Sequence, residues 1–522
     1  MKRRDFIKNT STAVTLPVIL NGLKLSAFAK PLLFNTVNNA SDRVLVLIQL
    51  NGGNDGLNTV IPLDQYSHLF SARAEIMIPE NKVLPLTETL GLNPAMTGVK
   101  ALFDEGNLGI VQSVGYPDQN RSHFRSMEIW STASPANQFW NTGWMGRFLD
   151  EKFPGFPNQY PDDQNPDPFA ISMGFSVSAT CQGAAANFSI TLNNPFTLRH
   201  LEGGGFLETV ENRYDEELAF IRSTIGQTND YSDRIVQAAN GGNNAVEYPD
   251  TELAQQLKNV ALLIAGGLKT KIYIVSLGGF DTHANQVDSY DPARGRHAEL
   301  LGTLADAMRA FQKDIKQLGL EERVIGMTFS EFGRQIRAND SDGTDHGTAA
   351  PLMLFGACVN PQILGENPEI PDVVEVQEGV PMQYDFRDVY GSVLMDWFGL
   401  PEENIKSLLH PDFYHLPIIR DCNAPAGGGY GLKSAINIPV ETHNFPNPFS
   451  DTTTIYFSTD EEKVRLSIFD AQGNEIKQLI NERYSAGEHQ ITFDGRSLPP
   501  GNYYYRLVTG GRQKTKRMVK VQ

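Results

Sequence analysis

Two side chains that could bind a metal ion, Asp281 and His283, lie two residues apart in the segment Gly278-Gly279-Phe280-Asp281-Thr282-His283. This segment directly follows residues 271–277, whose apolar character predicts a buried strand. In an open parallel sheet, ligands bind just beyond the carboxyl ends of the strands, where loops from several βα units meet. Asp281 and His283 are therefore candidate metal ligands. In the structural alternative, Asp281 caps the next helix and His283 is a surface residue.

A second carboxylate, Asp55, follows another predicted strand. The nearly continuous apolar run at residues 43–50 is typical of a parallel strand that is buried on both faces. It ends in Asn51-Gly52-Gly53-Asn54-Asp55-Gly56, where the glycines would let the backbone approach an ion or an anion closely. Asp55 is a candidate metal ligand, or simply part of an Asp-Gly turn.

Two further polar segments lie next to predicted strands later in the chain. Glu331 follows the predicted strand at residues 321–329, and the pair Asp345-His346 precedes the strand predicted at residues 351–355. A shared site requires that these residues face the first segment across the ends of the strands.

Ser122 could present a hydroxyl to a bound phosphate or sulfate. It lies in Asn120-Arg121-Ser122-His123-Phe124, between the predicted strand at residues 108–114 and a helical pattern that runs through Trp130. The free N–H groups at a helix N-terminus attract anions, and Arg121 and His123 would lie beside such an anion. In the structural alternative, Ser122 is an N-cap residue.

The order of the predicted elements indicates an α/β fold. Strand, polar cluster and helix recur in that order from residue 43 to residue 398, as in sheets whose strands are connected by helices. After the Gly-rich segment at residues 423–431, which is typical of a linker, the apolar period changes to two. Residues 443–522 are therefore predicted to form a small all-β domain, and the 522 residues two or three domains in total.

The composition excludes some classes of function. The formal net charge of −17 argues against a nucleic-acid partner, because contacts to phosphates need a basic surface. No apolar stretch is long enough to predict a membrane-spanning helix. The three cysteines show no Cys-x-x-Cys spacing, so no zinc finger is predicted and at most one disulfide can form. Isolated buried thiols are the expected state of the cysteines.

The N-terminus has the features of a twin-arginine export signal. Paired arginines near the start are followed by Phe6, Lys8, a weakly apolar run and the small-residue motif Ala27-Phe28-Ala29. We expect residues 1–29 to be a cleaved signal peptide and the twin-arginine export machinery to be a partner. This pathway carries proteins across the inner membrane after they have folded.

Six separated segments together resemble the bacterial family of unknown function DUF1501. They are Leu50 to Asn58, Asn120 to Phe124, Gly143 to Arg147, Gly278 to Gln286, Ser330 to Arg334 and Thr344 to Gly347. The resemblance extends over residues 40–420. It implies a fold like that of the alkaline phosphatase and sulfatase superfamily, with a mostly parallel sheet flanked by helices.

Members of that superfamily hydrolyse or transfer phosphate and sulfate esters at a metal site. The resemblance implies that Ser122 is the nucleophile and that Asp55, Asp281, His283 and His346 bind a divalent ion, with zinc, manganese, magnesium and calcium all open. The substrate would be an anionic ester, which could derive from a glycan.

Glu331-Phe332 departs from the superfamily pattern, which usually has an adjacent Asp-His pair after a late strand. Asp345-His346 could replace that pair, or Asp345 could orient His346 without touching the ion. The departure implies that the site binds fewer ions, binds them differently, or has lost catalysis. Glu331 and Asp345 are further candidate metal ligands that the resemblance implies.

The last eighty residues resemble a type A C-terminal sorting domain of the type IX secretion system of Bacteroidetes. The matching segments are Asn444 to Phe449, Leu466 to Asp470, Leu498 to Tyr504 and the basic end from Arg512 to Lys520. Such domains are address labels that the export machinery recognises, and they are often removed. They imply a protein that is secreted or attached to the outer cell surface, with residues 421–442 as a linker and residues 443–522 as a β-sandwich.

Three hypotheses on function follow. The favoured one is an exported, metal-dependent hydrolase of phosphate or sulfate esters, whose nucleophilic hydroxyl is assisted by a divalent metal. The alternative is a non-catalytic cell-surface protein that binds an anionic glycan in the same pocket. A third, a phosphomutase-like transferase, would need a second acceptor in place of water.

Overall fold

The computed structural model describes two short paired strands, Val18–Leu20 and Leu23–Leu25, and most of the chain from residue 42 onward. The described residues after these strands are 42–198, 200, 202, 228–422, 442–459, 462–470, 475–485, 487–509 and 512–521. The arginine pair, the cleavage motif at residues 27–29 and the Gly-rich segment at residues 423–431 lie outside the described residues.

A central sheet, nine-stranded in the described part of the chain, forms the core of the larger domain. Its strands are β1 (Val44–Asn51), β2 (Leu108–Gly115), β3 (Ala170–Met173), β4 (Ser189–Leu192), β5 (Ile272–Gly278), β6 (Val324–Phe329), β7 (Ala350–Phe355), β8 (Ile363–Leu364) and β9 (Tyr384–Asp385). The order across the sheet is β8-β2-β7-β6-β1-β5-β3-β4, and β9 also pairs with β2. Strand β7 runs antiparallel to both of its neighbours, and the other pairs are parallel. The prediction of a mostly parallel sheet is thus confirmed.

Strand β1 lies between β5 and β6 near the middle of the sheet. The register pairs Asn51 with Gly278 and Gln49 with Phe329, so β1, β5 and β6 end at the same edge. Because β7 is antiparallel to β6, β7 begins at the edge where β6 ends, and the segment before β7 lies at that edge too. This edge is the place where the polar segments singled out in the sequence can meet.

Helices cover both faces of the sheet, as predicted. The helices that contribute to the apolar clusters on the two faces of the sheet are α1 (Thr97–Asp104), α2 (His123–Thr132), α3 (Trp144–Lys152), α4 (Glu252–Ala265), α5 (Arg296–Gln317), α6 (Phe386–Ser392) and α7 (Glu402–Leu408). Short helices at Gly56–Thr59 and Tyr66–Arg73 lie near the start of the domain, and a π-helical turn at Val393–Trp397 follows α6. Within the described residues, no helix is long and apolar enough to span a membrane.

The two faces of β1 pack into different apolar clusters. Val46 lies with apolar residues of α1, α4 and α5, and Leu47 lies with apolar residues of α2, α3, α6 and α7. Successive side chains of a strand point to opposite faces, so a strand covered by helices on both sides has to be apolar throughout. This burial explains the apolar run at residues 43–50.

The C-terminal region is all-β, as predicted. One antiparallel sheet contains Thr442–Phe445, Thr452–Thr459 and Gly487–Asp494, and a second contains Glu462–Phe469, Glu475–Tyr484, Gly501–Thr509 and Arg512–Lys520. Alternate residues of both sheets, among them Ile455, Phe457, Leu466 and Ile468, form one shared apolar cluster. The apolar period of two therefore corresponds to one buried face in each sheet of a sandwich.

A disulfide joins Cys358 and Cys422, whose Cα atoms are 4.6 Å apart. The expectation of isolated thiols is therefore wrong for these two cysteines, although Cys181 is buried and free. The bond forms because the chain near Arg420 returns to the segment after β7, where the Arg420 amide donates to the Cys358 carbonyl at 2.8 Å. Cysteine spacing alone could not reveal this long-range contact.

Reduction of this disulfide should lower the free energy of unfolding by up to about 4 kcal/mol, because the bond restricts the unfolded chain over a long loop. The two cysteines are 64 residues apart. Cys422→Ser should reproduce the loss, and dithiothreitol should not destabilise that variant further. Denaturant unfolding with and without the reductant measures both effects. Equal stability of the oxidised wild type and the variant would contradict the prediction.

Candidate metal centre

Residues from several elements meet at the carboxyl edge of β1, β5 and β6. His123 is the first residue of α2, Asp281 and His283 follow β5, and His346 precedes β7. His123, Asp281 and His346 form a group whose ligand atoms lie within 4.8 Å of one another. The side chains of Asp281, His283 and His346 were predicted to be metal ligands, and the structure brings them together.

Four side chains, those of His123, Asp281, His283 and His346, form a cluster around Asp281 Oδ1. Asp281 Oδ1 lies 3.5 Å from His123 Nε2, 3.2 Å from His283 Nε2 and 3.3 Å from His346 Nε2. The Nε2 atoms of His283 and His346 are 2.8 Å apart. Atoms that bind one zinc ion tetrahedrally at about 2.0 Å would be separated by about 3.3 Å. The three distances from Asp281 Oδ1 agree with this separation, whereas the two Nε2 atoms of His283 and His346 lie closer together.

Each histidine ring directs its other nitrogen, Nδ1, at an oxygen atom of the protein. These contacts are His123 with Glu331 Oε1 at 2.8 Å, His283 with Asp345 Oδ1 at 2.7 Å, and His346 with the Arg121 carbonyl at 2.8 Å. An acceptor at Nδ1 assigns the proton to that nitrogen and leaves a lone pair on Nε2. Histidines that bind metals are commonly oriented in this way.

Two lone pairs that face each other repel, and a cation bound to both nitrogens would remove this repulsion. In this assignment of the protons, the Nε2 atoms of His283 and His346 approach to 2.8 Å with no hydrogen to share. Burial lowers the pKa of His346, which disfavours a second proton on that ring. The residues of the cluster therefore fit a divalent metal ion, with nitrogen ligands of the type that zinc and other transition metals prefer.

The cluster is open to solvent. The exposed fractions of the four side chains are 33% for His123, 48% for Asp281, 43% for His283 and 24% for His346. Structural zinc sites are closed by four protein ligands, whereas catalytic sites usually combine three with a water or a substrate. This cluster offers four side chains, and their exposure leaves the ligand atoms accessible to water and to a substrate.

Arg334 holds the carboxylate of the cluster. Its guanidinium, 0% exposed, donates from Nη2 to Asp281 Oδ1 at 2.7 Å. Partial burial acts to raise the pKa of Asp281, but the hydrogen bond and charge of Arg334 outweigh it, so the pKa lies below its usual range. Arg334 lies in one of the motifs singled out in the sequence, yet nothing local to that motif indicated this contact.

Glu331 orients His123 and contributes no atom to the converging set. Its Oε1 accepts from His123 Nδ1 and from the Gly52 amide, each at 2.8 Å. Gly52 has a φ of +121°, and a Cβ atom there would lie 2.2 Å from the Asp281 amide nitrogen. The glycine at this position thus allows the loop after β1 to reach both Glu331 and the loop after β5.

Phe332 follows Glu331 at the position where the resemblance led us to expect a histidine. Its ring packs against the rings of His123 and His346, with centroids 5.0 Å and 4.6 Å apart. The departure from the pattern therefore provides an apolar wall for two of the histidines. Asp345 was considered as a residue that orients His346, but its Oδ1 contacts the ring of His283.

Asp55 lies outside the converging set. It caps the helix Gly56–Thr59 by accepting from the Leu57 amide, and both its oxygens accept from Arg73 Nη1 at 3.0 Å. Gln286 donates to Asp55 Oδ2 at 2.6 Å. Burial acts to raise the pKa of Asp55, but Arg73 outweighs it and the pKa lies below its usual range. These donors occupy both oxygens, so Asp55 holds the loop after β1 in place.

Ser122 and Arg121 lie beside the cluster. Ser122 is the N-cap residue of α2, as predicted, but its exposed side chain makes no capping hydrogen bond. The half-buried guanidinium of Arg121 has no partner among the described residues, and burial lowers its pKa. The hydroxyl and the guanidinium are thus available to a bound anion. His123 lies beside them in the chain, as predicted, but its Nε2 atom faces Asp281 in the candidate metal centre.

Glu331→Gln should weaken metal binding about 10- to 100-fold without unfolding the protein, because a neutral amide oxygen is a weaker acceptor for His123 Nδ1 than a carboxylate and makes the ring a weaker ligand. The same amide oxygen can still accept from the Gly52 amide. Competition with a chromogenic chelator measures the affinity. Glu105→Gln, which alters only a surface ion pair with Arg309, is the matched control. Unchanged affinity in Glu331→Gln would show that this carboxylate does not orient a ligand.

Comparison with known proteins identifies two regions of the chain. The model of a family of proteins of unknown function, DUF1501, matches residues 107–409, and that of a secretion system C-terminal sorting domain matches residues 443–521. No curated protein matches the sequence.

Similar solved structures include a protein in the alkaline phosphatase superfamily from Vibrio parahaemolyticus, with 10% identity, a TM-score of 0.35 and coverage of 84% of this chain and 82% of that chain. The PsFucS1 sulfatase from Pseudoalteromonas sp. has 10% identity and a TM-score of 0.32, and the match covers 87% of this chain and 84% of the sulfatase chain. A Bacteroides thetaiotaomicron protein designated BT33494S-sulf has 11% identity and a TM-score of 0.32, and the match covers 87% of this chain and 90% of that protein's chain.

Proposed function

The chain belongs to the DUF1501 family of proteins of unknown function, and we propose that it is an exported, metal-dependent hydrolase of phosphate or sulfate esters. One observation carries the proposal. Three Nε2 atoms converge on Asp281 Oδ1, and two of them approach to 2.8 Å while their rings donate elsewhere. A divalent ion explains this arrangement, and the exposure of the cluster would give a substrate access to the ion.

The site would hold the ion through His123, His283, His346 and Asp281. A divalent ion in such a site supplies Lewis acidity, which stabilises negative charge on the oxygens of a reacting ester. Glu331, Asp345 and the Arg121 carbonyl keep the three imidazoles neutral and fixed in orientation. Because the three imidazoles are already oriented, they need not rearrange when the substrate binds.

Ser122 would supply the attacking hydroxyl. Its oxygen bonds to phosphorus or sulfur while the bond to the alcohol oxygen of the substrate breaks, and the alcohol leaves with a proton. Water then cleaves the Ser122 ester, which releases phosphate or sulfate and restores the hydroxyl. The absence of a capping bond to the Ser122 side chain supports this role, because the hydroxyl is not already engaged.

Positive charge beside Ser122 would bind the anionic group of the substrate. The unpaired guanidinium of Arg121 precedes Ser122 in the chain, and the N-terminus of α2 follows it. Guanidinium groups recognise phosphate-like anions through paired hydrogen bonds, and helix N-termini favour negative charge. Both features support a phosphate or sulfate ester over a neutral substrate.

Export would take two steps. The sorting domain at residues 443–521 implies recognition by the secretion machinery, and the arginine pair near the N-terminus would first direct the folded protein across the inner membrane. The protein would then be released or held at the outer cell surface, where esters on anionic glycans are accessible.

Metal analysis of the purified protein without residues 1–29 tests the proposal, followed by a panel of phosphate and sulfate esters assayed with zinc, manganese, magnesium or calcium. We expect bound metal and turnover of at least one ester. A protein with no bound metal and no turnover of any ester would refute the proposal. Anion binding that survives Ser122→Ala without turnover in either form would instead favour a surface protein that binds an anionic glycan.

A further inference from the structure

A cavity of about 290 Å³ lies among residues that the proposed reaction does not use. It is lined by residues 116–118 after β2, residues 134–137 after α2, and Arg387 of α6. Strand β2 runs parallel to β6, because β7 is antiparallel to both, so the loop after β2 lies at the edge that carries the metal cluster. The volume corresponds to about ten molecules of liquid water. A single pyranose ring with its hydroxyl groups fits in this space.

The cavity is next to the segment that carries Ser122. Tyr116 lines the cavity, and its hydroxyl accepts from the Asn120 amide at 3.1 Å and contacts Ser126 Oγ of α2 at 2.8 Å. Asn120 is two residues before Ser122, so the Cα atoms of these two residues are at most about 7 Å apart. One oligosaccharide can therefore reach Ser122 and the cavity together.

The two charged side chains that line the cavity already have neighbours of opposite charge. Arg387 donates from Nε and Nη2 to the Asp385 carboxylate at 2.9 and 2.5 Å. Burial lowers the pKa of Arg506 in the C-terminal domain, and the negative charge of Asp118 acts in the opposite direction. A charged ligand would lose its hydration here without meeting an unpaired opposite charge. The cavity therefore favours an uncharged ligand.

Polar groups without hydrogen-bond partners remain around the cavity. Among the described residues, no partner contacts Arg387 Nη1, the Asn137 amide or the buried Ser134 hydroxyl, and the Asp118 carboxylate accepts no hydrogen bond. Polar groups in such places lower the free energy when a ligand supplies their partners. Prolines 117 and 135 add apolar surface. A sugar ring combines the matching features, since it has hydroxyls at its edge and C–H groups on its faces.

We propose that this cavity binds an uncharged sugar ring of the glycan that carries the ester. This inference rests on the proposed function and adds the class of substrate to it. Arg121 and the N-terminus of α2 would take the anionic group, whereas the cavity would take a neutral part of the same molecule. The substrate is then a phosphate or sulfate ester of a glycan that has an uncharged ring close to the ester.

Saturation-transfer NMR tests the binding of the sugar, with the chain that lacks residues 1–29. The probes are the methyl glycosides of glucose, galactose, mannose, fucose and xylose, and methyl glucuronide as an anionic sugar. We expect transfer to at least one neutral glycoside and none to the glucuronide. The transfer should persist in EDTA, because no candidate metal ligand of the cluster lines the cavity. No transfer to any neutral glycoside, or equal transfer to the glucuronide, would overturn the inference.

Ala136→Trp should abolish this transfer, because the indole would fill the cavity. Ala136 is half-buried, and its carbonyl, which accepts from Arg125, is kept in the variant. Ala101→Trp is the matched control, since Ala101 is also half-buried but lies on α1, outside the cavity. The control should bind the glycoside like the wild type. Unchanged transfer in Ala136→Trp would contradict the proposed site.

Asn137→Ala decides the question if Ala136→Trp does not fold. Asn137 is exposed, so its truncation should leave the fold intact, and the loss of its hydrogen bonds should weaken glycoside binding roughly 2- to 10-fold. Asn158→Ala, also at an exposed position, is the control. Equal affinities in the two variants would refute a role for Asn137 and with it the site. Turnover of esters by a protein that binds no neutral glycoside would refute the inference and leave the proposed function intact, and sugar binding without turnover or metal would do the reverse.

Discussion

His283→Ala should lower the affinity for zinc by roughly 100- to 1,000-fold, and turnover at a fixed metal concentration should fall with it. Zinc sites with four protein ligands bind with about 10–16 kcal/mol, so one ligand accounts for about 3–4 kcal/mol. About 1.4 kcal/mol corresponds to a tenfold change in affinity. His283 is suited to this test because its ring is 43% exposed, and its truncation leaves no cavity in the core.

His415→Ala is the matched control for this change. The His415 ring is also 43% exposed, and its Nε2 contacts one carboxylate, Asp396, at 2.8 Å. The His283 ring has the same exposure and contacts Asp345 at 2.7 Å. Both variants therefore lose a similar contact between an imidazole and a carboxylate, but only His283→Ala loses a ligand. Chelator competition and metal analysis after desalting measure the difference. Equal metal retention by the two variants would refute the ligand role of His283.

The sequence indicated much of this site because its signals were local. Asp281 and His283 follow a strand whose apolar run was clear, and ligands gather at the ends of parallel strands. Ser122 was expected at the start of a helix, and it is the N-cap residue of α2. The burial of β1 on both faces was likewise evident from its continuous apolar run.

The position of His346 depended on strand direction, which the sequence did not reveal. Asp345-His346 precedes its strand, whereas the other polar segments follow theirs. Because β7 runs antiparallel to β6, the residues before β7 lie at the same edge as the residues after β5 and β6. A run of apolar residues predicts a strand but carries no information on its direction.

The roles of the remaining polar residues were set by long-range partners. Asp55 has the residue type and the position of a ligand, but Arg73, which is 18 residues away, takes both of its oxygens. Glu331 was a candidate ligand, and its Oε1 accepts from the ring of His123, 208 residues away. Such pairings depend on how the loops pack, so residue type and spacing could suggest the site but could not assign each role.

Ser122→Ala should lower kcat by at least about 1,000-fold while leaving zinc binding and the melting temperature unchanged, because it removes an attacking oxygen and nothing else. The side chain of Ser122 is exposed and makes no capping hydrogen bond, so its loss should not destabilise α2. Metal content separates this variant from His283→Ala, in which turnover falls because the ion is lost. Steady-state kinetics at saturating metal, on the best ester of the panel, measures the change.

Ser71→Ala is the control for loss of a hydroxyl. Ser71 is exposed on a surface helix, where its hydroxyl donates to the Ser67 carbonyl at 3.0 Å, and its substitution should leave kcat unchanged. Ser122→Ala with wild-type kcat would mean that water attacks the ester directly. A hydroxide generated at the metal would then replace the serine as nucleophile, and the helix N-terminus and Arg121 would retain only the task of binding the anion. The two outcomes differ in a further observable, since only attack by Ser122 produces a covalent phosphoryl or sulfuryl group on the protein. Mass spectrometry of acid-quenched protein would detect that group on the peptide that contains Ser122.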